Sequence, residues 1–345
     1  MSDSVGLTYG VDLSREKFDA DQIFFDRDVT DASGALTQRE ARSEDRYPGY
    51  RVDTVAAFAQ ADWQATRGLK LSAGARQQRM NVDVDDFKNV PGGQQPYDAT
   101  LVNASASTTT VTATRTGCAT ARASSARPGQ VLRQEPDISV SANPLSAIKT
   151  DQVELGWRYQ GGGWSTQAAV YYAWSDKAVE NAEDLSVEVV DEKKRDYGLE
   201  GAVTRYFDNG FEAGSTLNLV RSEQKDADGD WKKRDARYAS LSSATAFVGW
   251  SDFERSVRLQ ANHAFDLEDD NDREIDGYTT LDLLLSQQTG FGKFSLGVEN
   301  LTDKQYSTVW GQRATMFYSP YYGPEYLYDY QGRGRTYSLT WSHQY

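Results

Sequence analysis

The feature that most constrains this chain is a two-residue alternation of apolar and polar side chains that returns in segment after segment. In the last segment, Tyr337, Leu339 and Trp341 are separated by serine and threonine. Side chains of a β-strand point alternately to opposite faces, so this period predicts strands with one apolar and one polar face. No segment shows the period of an amphipathic helix. The sequence therefore predicts an all-β fold with helix nearly absent.

The connections between these segments alternate between short and long. The short connections are residues 65–68, 161–163, 208–210, 251–253 and 289–292. The long connections are residues 18–51, 86–96, 179–193, 223–236, 267–275 and 307–332. Bacterial outer-membrane barrels have short periplasmic turns and long extracellular loops. We therefore predict a partial, antiparallel up-and-down transmembrane β-barrel of about fourteen strands, in which neighbours in sequence pair in space.

The outward face of such strands separates two classes of protein. Lipid-facing positions of a transmembrane barrel lack charge over about 25 Å of height, a condition that soluble sheets need not meet. Two runs of alternate positions are uncharged: Ala168, Val170, Tyr172, Leu281, Leu283 and Leu285. We prefer the barrel. The alternative is a soluble or surface-exposed β-structured binding protein of the lectin or adhesin kind.

The charge balance and the chain start limit the class further. Lys and Arg number 37 and Asp and Glu 51, a net charge of −14, whereas a nucleic-acid partner requires a cationic face. The sequence contains no run of 18 apolar residues, so it predicts no transmembrane helix. The first residues lack the basic and apolar regions of a signal peptide. We expect either a cytoplasmic protein or the downstream piece of an exported precursor.

Residues 104–129 interrupt the alternation. Eighteen of these 26 residues are Ala, Ser or Thr, none is acidic or aromatic, and the chain's single cysteine, Cys118, lies among them. Such a composition offers no large apolar face to bury. We expect the least regular part of the chain here. One interpretation is a flexible loop. The other is a segment translated out of frame, because the alternation of short and long connections requires an upward strand at this place.

Catalytic and metal-binding motifs are missing from the sequence. No cysteine cluster, glycine-rich phosphate loop or nucleophile elbow occurs. The two histidines, His263 and His343, share the apolar parity of their strands, which favours a place in an aromatic girdle. The acidic runs at 83–86 and 268–272 are interpreted as solvated loop charge, because neither belongs to a twelve-residue calcium loop. We predict neither an enzyme nor a metal site.

The segment 297–306, GVENLTDKQY, resembles the Asn-Leu-Thr/Phe-Asp-Lys-x-Tyr segment near the end of TonB-dependent outer-membrane receptors. The ending 332–345, GRGRTYSLTWSHQY, is similar to the last strand of that family, and its terminal Tyr345 resembles the signal that barrel-assembly machinery reads. Segments 309–313, 317–320 and 327–330 are similar to the ferric aerobactin and rhizobactin group of these receptors.

This resemblance implies a receptor that takes up ferric siderophores of the citrate-hydroxamate type and is energised through TonB. Family barrels have about 22 strands around a plugged lumen, so residues 1–345 resemble the C-terminal part of such a receptor, without its plug and TonB box. Implied partners are the TonB complex, the barrel-assembly machinery and the lipid of a bacterial outer membrane. The siderophore is a ligand, and no cofactor is implied.

Residues 307–332 are the candidate binding segment. This loop is built of aromatic side chains, and Arg313 is its only cation between Lys304 and Arg333. The candidate ligand-binding residues are Trp310, Arg313, Phe317, Tyr318, Tyr321, Tyr322 and Tyr326. Aromatic walls and a guanidinium suit an anionic complex with apolar and oxygen-rich surface. We expect Arg313 to face the ligand and to matter more than any single tyrosine.

Overall fold

The computed structural model describes residues 4–34, 36–46, 48–87, 91–110, 114–125, 148–181, 187–190, 192–226 and 228–343. In chain order its strands are β1 (Val5–Phe18), β2 (Asp21–Phe25), β3 (Glu40–Asp45), β4 (Tyr50–Gln64), β5 (Leu69–Val84), β6 (Gly93–Thr110), β7 (Thr114–Ser125), β8 (Ile148–Gly161), β9 (Trp164–Ser175), β10 (Ala178–Asn181), β11 (Val187–Val190), β12 (Lys194–Tyr206), β13 (Phe211–Lys225), β14 (Trp231–Lys233), β15 (Ser243–Ser251), β16 (Arg255–Ala264), β17 (Leu267–Glu268), β18 (Glu274–Ile275), β19 (Tyr278–Thr289), β20 (Gly292–Glu299) and β21 (Thr336–Ser342). Two α-helices, α1 (Arg27–Ala32) and α2 (Val309–Tyr322), and one 3₁₀ turn (Glu325–Leu327) complete the described elements.

One antiparallel meander dominates the fold. Its strands pair in the order β1-β4-β5-β6-β7-β8-β9-β12-β13-β15-β16-β19-β20-β21, and β14 adds to the end of β13. The remaining strands form three small hairpins, β2–β3, β10–β11 and β17–β18, within long connections. Short turns join the strands at one end and long connections at the other. The predicted up-and-down architecture and its loop polarity are confirmed.

The outer face of the meander carries a continuous apolar band. Leu155, Val170, Leu199 and Leu219 are successive cross-strand partners on four strands, and all are exposed. Leu285, Leu296 and Leu339 continue the pattern near the other edge. Exposed apolar surface of this extent marks an interaction face rather than a water-facing one. Two of these positions, Val170 and Leu285, belong to the runs that the sequence predicts to face lipid.

The opposite face of the sheet is polar, with one apolar cluster near the long-connection end. Asp12 and Arg76 form an ion pair across it. From β6 to β15 this face lines an open recess of about 580 Å³ whose lining includes Glu154 and Glu200. Higher up, Val52, Val82, Val84 and Tyr97 pack together as a buried cluster. The wall is thus apolar towards one side and polar towards a lumen.

The expectation of an irregular segment at 104–129 is wrong for the residues that the structure describes there. Residues 104–110 lie in β6 and residues 114–125 form the upward strand β7, which pairs with β6 and β8. A ladder of backbone hydrogen bonds on both sides forms without large side chains. Residues 111–113 and 126–129 lie outside the described part. That the segment was translated out of frame stays a prediction.

The two outermost strands leave the meander open. Among the described strands, β1 pairs with β4 alone and β21 with β20 alone. The predicted partial barrel is therefore confirmed as an open wall. No helix in the described part of the chain is both long enough and apolar enough to cross a membrane.

Candidate ligand site on the long-connection side

The Asn-Leu-Thr-Asp-Lys segment fixes the base of the last long connection. Asn300 is buried and adopts a positive φ of 49°. Its side chain accepts a hydrogen bond from the Lys304 N–H at 2.9 Å and donates to the Lys304 and Arg333 carbonyls at 2.9 and 3.1 Å. Asp303 accepts from the Arg335 N–H at 2.8 Å. These bonds join the two ends of the connection just above β20 and β21.

Helix α2 occupies the segment that the sequence presents as an aromatic loop. Thr308 caps its start by accepting the Gly311 N–H at 2.9 Å, and Gly323, at φ 125°, follows its last turn. The expectation of a loop is wrong here. The spacing of the buried residues Gly311, Ala314 and Phe317 by three positions is the helical signal that the sequence contains.

The buried side of α2 packs on two neighbouring long connections. Ala314 is fully buried, and Gly311 lies directly against the Tyr330 backbone. The side-chain amide of Gln312 accepts from the Asp276 N–H at 2.7 Å and donates to the Asp276 carbonyl at 3.0 Å. Because Gln312 thereby imitates a backbone partner, it joins the helix to the end of the β17–β18 hairpin.

The side chain of Arg313, a predicted ligand-binding residue, points into a neighbouring long connection. Its guanidinium donates to the Ala236 carbonyl at 3.1 Å and to the Ala239 carbonyl, both in the connection between β14 and β15. Burial, and then the charge of Arg234, lower the pKa of Arg313 from its ordinary value. The side chain therefore anchors α2 to residues 234–242, which we call the arginine loop.

The arginine loop is held from below by the β17–β18 hairpin. Asp269 is buried and accepts the N–H groups of Ala236 at 2.9 Å and Arg273 at 3.1 Å. Asp235 pairs with Arg237 at 2.7 Å and with Arg273 at 2.5 Å. Burial by itself raises the pKa of Asp235, but hydrogen bonds from Arg237 and the charge of Arg273 hold that pKa below its usual value.

Five of the predicted residues come together in one chain of ring contacts. Its members are Trp310, Phe317, Tyr318, Tyr321 and Tyr322, with neighbouring ring centroids between 6.3 and 6.5 Å apart. We call this set the aromatic face. Phe317 is its buried base, and the outer rings are exposed.

One predicted ligand-binding residue lies apart from these contacts. Tyr326 lies on the 3₁₀ turn and is 78% exposed. Tyr345, the predicted assembly signal, lies outside the described residues.

Sequence reasoning missed the arginine loop as part of this site. The Tyr238 ring meets Phe317 edge-on at 5.4 Å, and the Arg237 guanidinium lies 5.5 Å from the Phe317 ring centre. Arg234 lies 5.7 Å from the Tyr238 ring centre. No local pattern relates residues 234–238 to a helix some 75 positions later. Together they place guanidinium groups at the base of an aromatic surface.

This arrangement suits binding rather than covalent chemistry. Aromatic rings supply contact area with little loss of side-chain freedom, and guanidinium groups recognise carboxylate or other anionic oxygens. Among the described residues, no group of three or more His, Cys, Asp or Glu is placed to hold a metal ion. The arrangement could therefore hold an anionic group against an aromatic surface.

An antiparallel wall with a lipid-facing band, short turns at one end and a packed set of loops at the other defines a β-barrel protein of the outer-membrane class. Residues 2–301 match the family described as "TonB dependent receptor-like, beta-barrel", and the chain belongs to this family. Its members are receptors of the bacterial outer membrane, not enzymes. The lectin-like or adhesin-like alternative is wrong.

Known relatives agree with this assignment. The chain is 37% identical to the ferric aerobactin receptor of Klebsiella pneumoniae over 97% of its own length and 50% of the relative's, and 33% identical to the rhizobactin receptor of Rhizobium meliloti (strain 1021) over 98% and 50%. The chain thus spans about half the length of these relatives.

Solved structures share the fold. The copper transporter OprC aligns with a TM-score of 0.73 at 15% identity, over 98% of this chain and 54% of that one. The ferric yersiniabactin uptake receptor FyuA from Yersinia pestis aligns with a TM-score of 0.67 at 18% identity, over 89% and 48%.

Proposed function

We propose that this chain forms the C-terminal half of a barrel receptor for ferric siderophores, and that the aromatic face together with the arginine loop contacts the ligand. The observation that carries the proposal is that Phe317 contacts both Tyr238 and the Arg237 guanidinium and is linked by ring contacts to the exposed tyrosines of α2. Two curated relatives are named as ferric aerobactin receptors, and a third as a rhizobactin receptor. Both the names and the site chemistry support an iron-complex ligand.

The ligand class that fits best is a citrate-hydroxamate siderophore with bound ferric iron. Such a complex is anionic and presents both oxygen-rich and apolar surface. Charge-assisted hydrogen bonds to guanidinium are among the stronger recognition contacts, and aromatic walls complement the apolar part. The iron arrives as part of the ligand, so the receptor itself requires no cofactor.

Transport needs partners that act on the whole receptor. The TonB complex supplies the energy from the inner membrane. The barrel-assembly machinery inserts the wall, and the membrane lipid covers its apolar band. None of these steps forms or breaks a covalent bond in the ligand.

The test measures ferric aerobactin binding through the quenching of tryptophan fluorescence. Two preparations are compared: the chain in detergent micelles, and a hybrid receptor in which residues 1–345 replace the matching half of the Klebsiella pneumoniae receptor. We expect Tyr321→Ala with Tyr322→Ala to weaken binding about 10-fold, because each buried aromatic contact is worth about 0.5–1.5 kcal/mol.

Phe291→Ala is the matched control, because Phe291 is an exposed aromatic residue, 81% accessible, in a turn at the opposite end of the wall. The control should bind like the wild type. If the double tyrosine variant of the hybrid receptor also binds like the wild type, the aromatic face is not the ligand site.

A further inference from the structure

A second cluster of charged and aromatic side chains lies on the outer face of the wall, next to the arginine loop, which Ser222 bonds through the Arg234 and Ser240 N–H groups. Leu199 and Leu219 are paired members of the lipid-facing band. Going up from them on the same face, the next pair is Tyr197 and Arg221, and the pair after that is Arg195 and Glu223. The cluster therefore lies roughly 10 Å above the leucine pair, given the strand rise and tilt.

Strand β14 extends this cluster sideways. Its Lys233 is the partner of Glu223, and its Trp231 is the partner of Lys225. Directly paired residues of antiparallel strands project from the same face. We call the set the rim patch: Arg195, Arg221, Glu223, Lys225, Trp231 and Lys233.

The rim patch is built around one buried carboxylate. The side chain of Glu223 is 8% exposed and bonds Arg195 at 2.5 Å and Arg221 at 2.7 Å. The Arg195 guanidinium also stacks over the Trp231 ring at 4.0 Å, and the Lys225 ammonium lies 5.5 Å from the same ring centre. These contacts hold Arg195 in place.

Positive charge is in excess in the rim patch. Four cationic side chains surround one carboxylate, in a chain whose net charge is −14. Arg221 is 58% exposed, although its Nε bonds Glu223. Lys233 is exposed as well. Cationic side chains are thus concentrated around Glu223, although the chain as a whole is acidic.

Aromatic rings lie at the same level as these charges, since Tyr197 is the cross-strand partner of Arg221 and Trp174 that of Arg195. Tyr172 stacks with Tyr197 at 6.2 Å and contacts Trp174 at 5.6 Å. Aromatic side chains with one polar end concentrate at the membrane–water boundary, at the level of the lipid headgroups. The rim patch therefore lies at headgroup height on the long-connection side, where cations meet the phosphates of membrane lipids.

We infer that the rim patch binds the phosphate group of an anionic lipid in the outer leaflet. Arg221 and Lys233 contact the phosphate from either side of Glu223, Arg195 is held between Glu223 and Trp231 as the fixed part of the site, and the acyl chains lie along the apolar band below. This inference rests on the outer-membrane location and not on the proposed siderophore ligand.

Another charged row on the outer face provides a matched comparison. On β1, β4 and β5, Arg15 pairs with Asp53 at 2.6 Å, and Arg51 pairs with Asp53 at 3.1 Å and Asp83 at 2.5 Å. Arginine and aspartate alternate there, so the charges largely cancel. Arg15→Gln thus removes an exposed, carboxylate-paired arginine at a similar height without touching the rim patch.

The experiment measures binding of diphosphorylated lipid A by native mass spectrometry. It uses the chain in detergent micelles, with far-UV circular dichroism showing retained strand content, and the hybrid receptor extracted from outer membranes. Each cation near a lipid surface contributes about 5-fold in affinity. We therefore expect Arg221→Gln with Lys233→Gln to weaken lipid A binding about 25-fold, and Arg15→Gln to change it less than 2-fold.

A comparison of lipid A with and without its phosphates distinguishes a phosphate-binding site from nonspecific binding of acyl chains to an apolar surface. Dephosphorylated lipid A should bind wild type and double variant equally, because only the acyl contacts remain. The inference is overturned if the double variant retains wild-type affinity in either preparation, if Arg15→Gln loses as much, or if the dephosphorylated lipid binds the wild type as tightly as lipid A.

Discussion

Single residues decide how closely the loops of the ligand site pack. Gly311 lies on the buried side of α2, where an added Cβ would come within 2.5 Å of the Tyr330 carbonyl oxygen and 2.6 Å of its nitrogen. Backbone atoms cannot swing aside as a side chain can, so a larger residue must displace the helix.

Gly311→Ala should destabilise the packed loops by about 1–3 kcal/mol, the usual cost of overpacking. Differential scanning fluorimetry and protease sensitivity of residues 307–332 measure the effect. Gly290→Ala is the control, because nothing lies within 4 Å of the Cβ it adds. Equal stability of the two variants would show that α2 tolerates a shift away from Tyr330.

Arg313 should affect ligand binding through the arginine loop. Removing its guanidinium leaves the Ala236 and Ala239 carbonyls without their donor, and an unsatisfied buried group costs about 1–3 kcal/mol. We expect Arg313→Ala to increase hydrogen exchange at residues 234–242 and to weaken ferric siderophore binding more than Tyr321→Phe does. Weakened binding with unchanged exchange in that loop would instead show direct contact with the ligand.

At the scale of elements, the sequence predicts the wall better than it predicts the site. Strand alternation and loop polarity depend on local patterns, and both reappear in the structure. The site depends on contacts between distant segments, such as Arg313 with Ala236, that no local pattern encodes. The sequence also did not predict α2, because residues 307–332 are rich in aromatic residues of modest helix propensity and Pro320 lies inside the helix.

The arginine loop should lose stability in acid. Because the folded pKa of Asp235 is held below its usual value, its ion pairs stabilise the loop fully above the unfolded pKa of about 3.9. This stabilisation is lost as the pH falls through the folded value. Hydrogen exchange at residues 234–240 between pH 6 and pH 3 measures the loss.

Asp235→Asn should make the exchange of this loop less dependent on pH, because the variant has no carboxyl to protonate at that position. Asp208→Asn, in a short turn at the far end of the wall, should leave the profile unchanged. If the exchange rates of the Asp235→Asn variant depend on pH as steeply as those of the wild type, the acid sensitivity belongs to another group.

At the scale of the whole molecule, the outer band defines which surface contacts lipid. Cys118 is exposed and pairs with Ala106 and Leu155 on the band side of the sheet. The small side chains of Cys118 and Ala106 contribute to a groove of about 630 Å³ that is lined also by Leu155 and Val170. The one cysteine of the chain thus reports on the lipid-facing surface.

In a bilayer, Cys118 should react with an apolar maleimide and resist a charged, membrane-impermeant one. A second chain with Cys118→Ser and Ser105→Cys places the thiol on the polar face, because Ser105 pairs with Ser72 on the other parity. That thiol should show the opposite preference. Ready labelling of Cys118 by the charged reagent would place the band in water.

The sequential pairing of the meander has a consequence for how such a wall changes over time. Within the meander, each strand bonds only to the strands before and after it. Adding or deleting a hairpin therefore leaves all other strand pairings unchanged, and the long loops stay at the same end of the wall. Adding a single strand would reverse the direction of every strand after it and put the later long loops on the opposite side of the membrane. A hairpin is therefore the smallest insertion or deletion that can change the circumference of such a barrel and keep every remaining strand in its original direction.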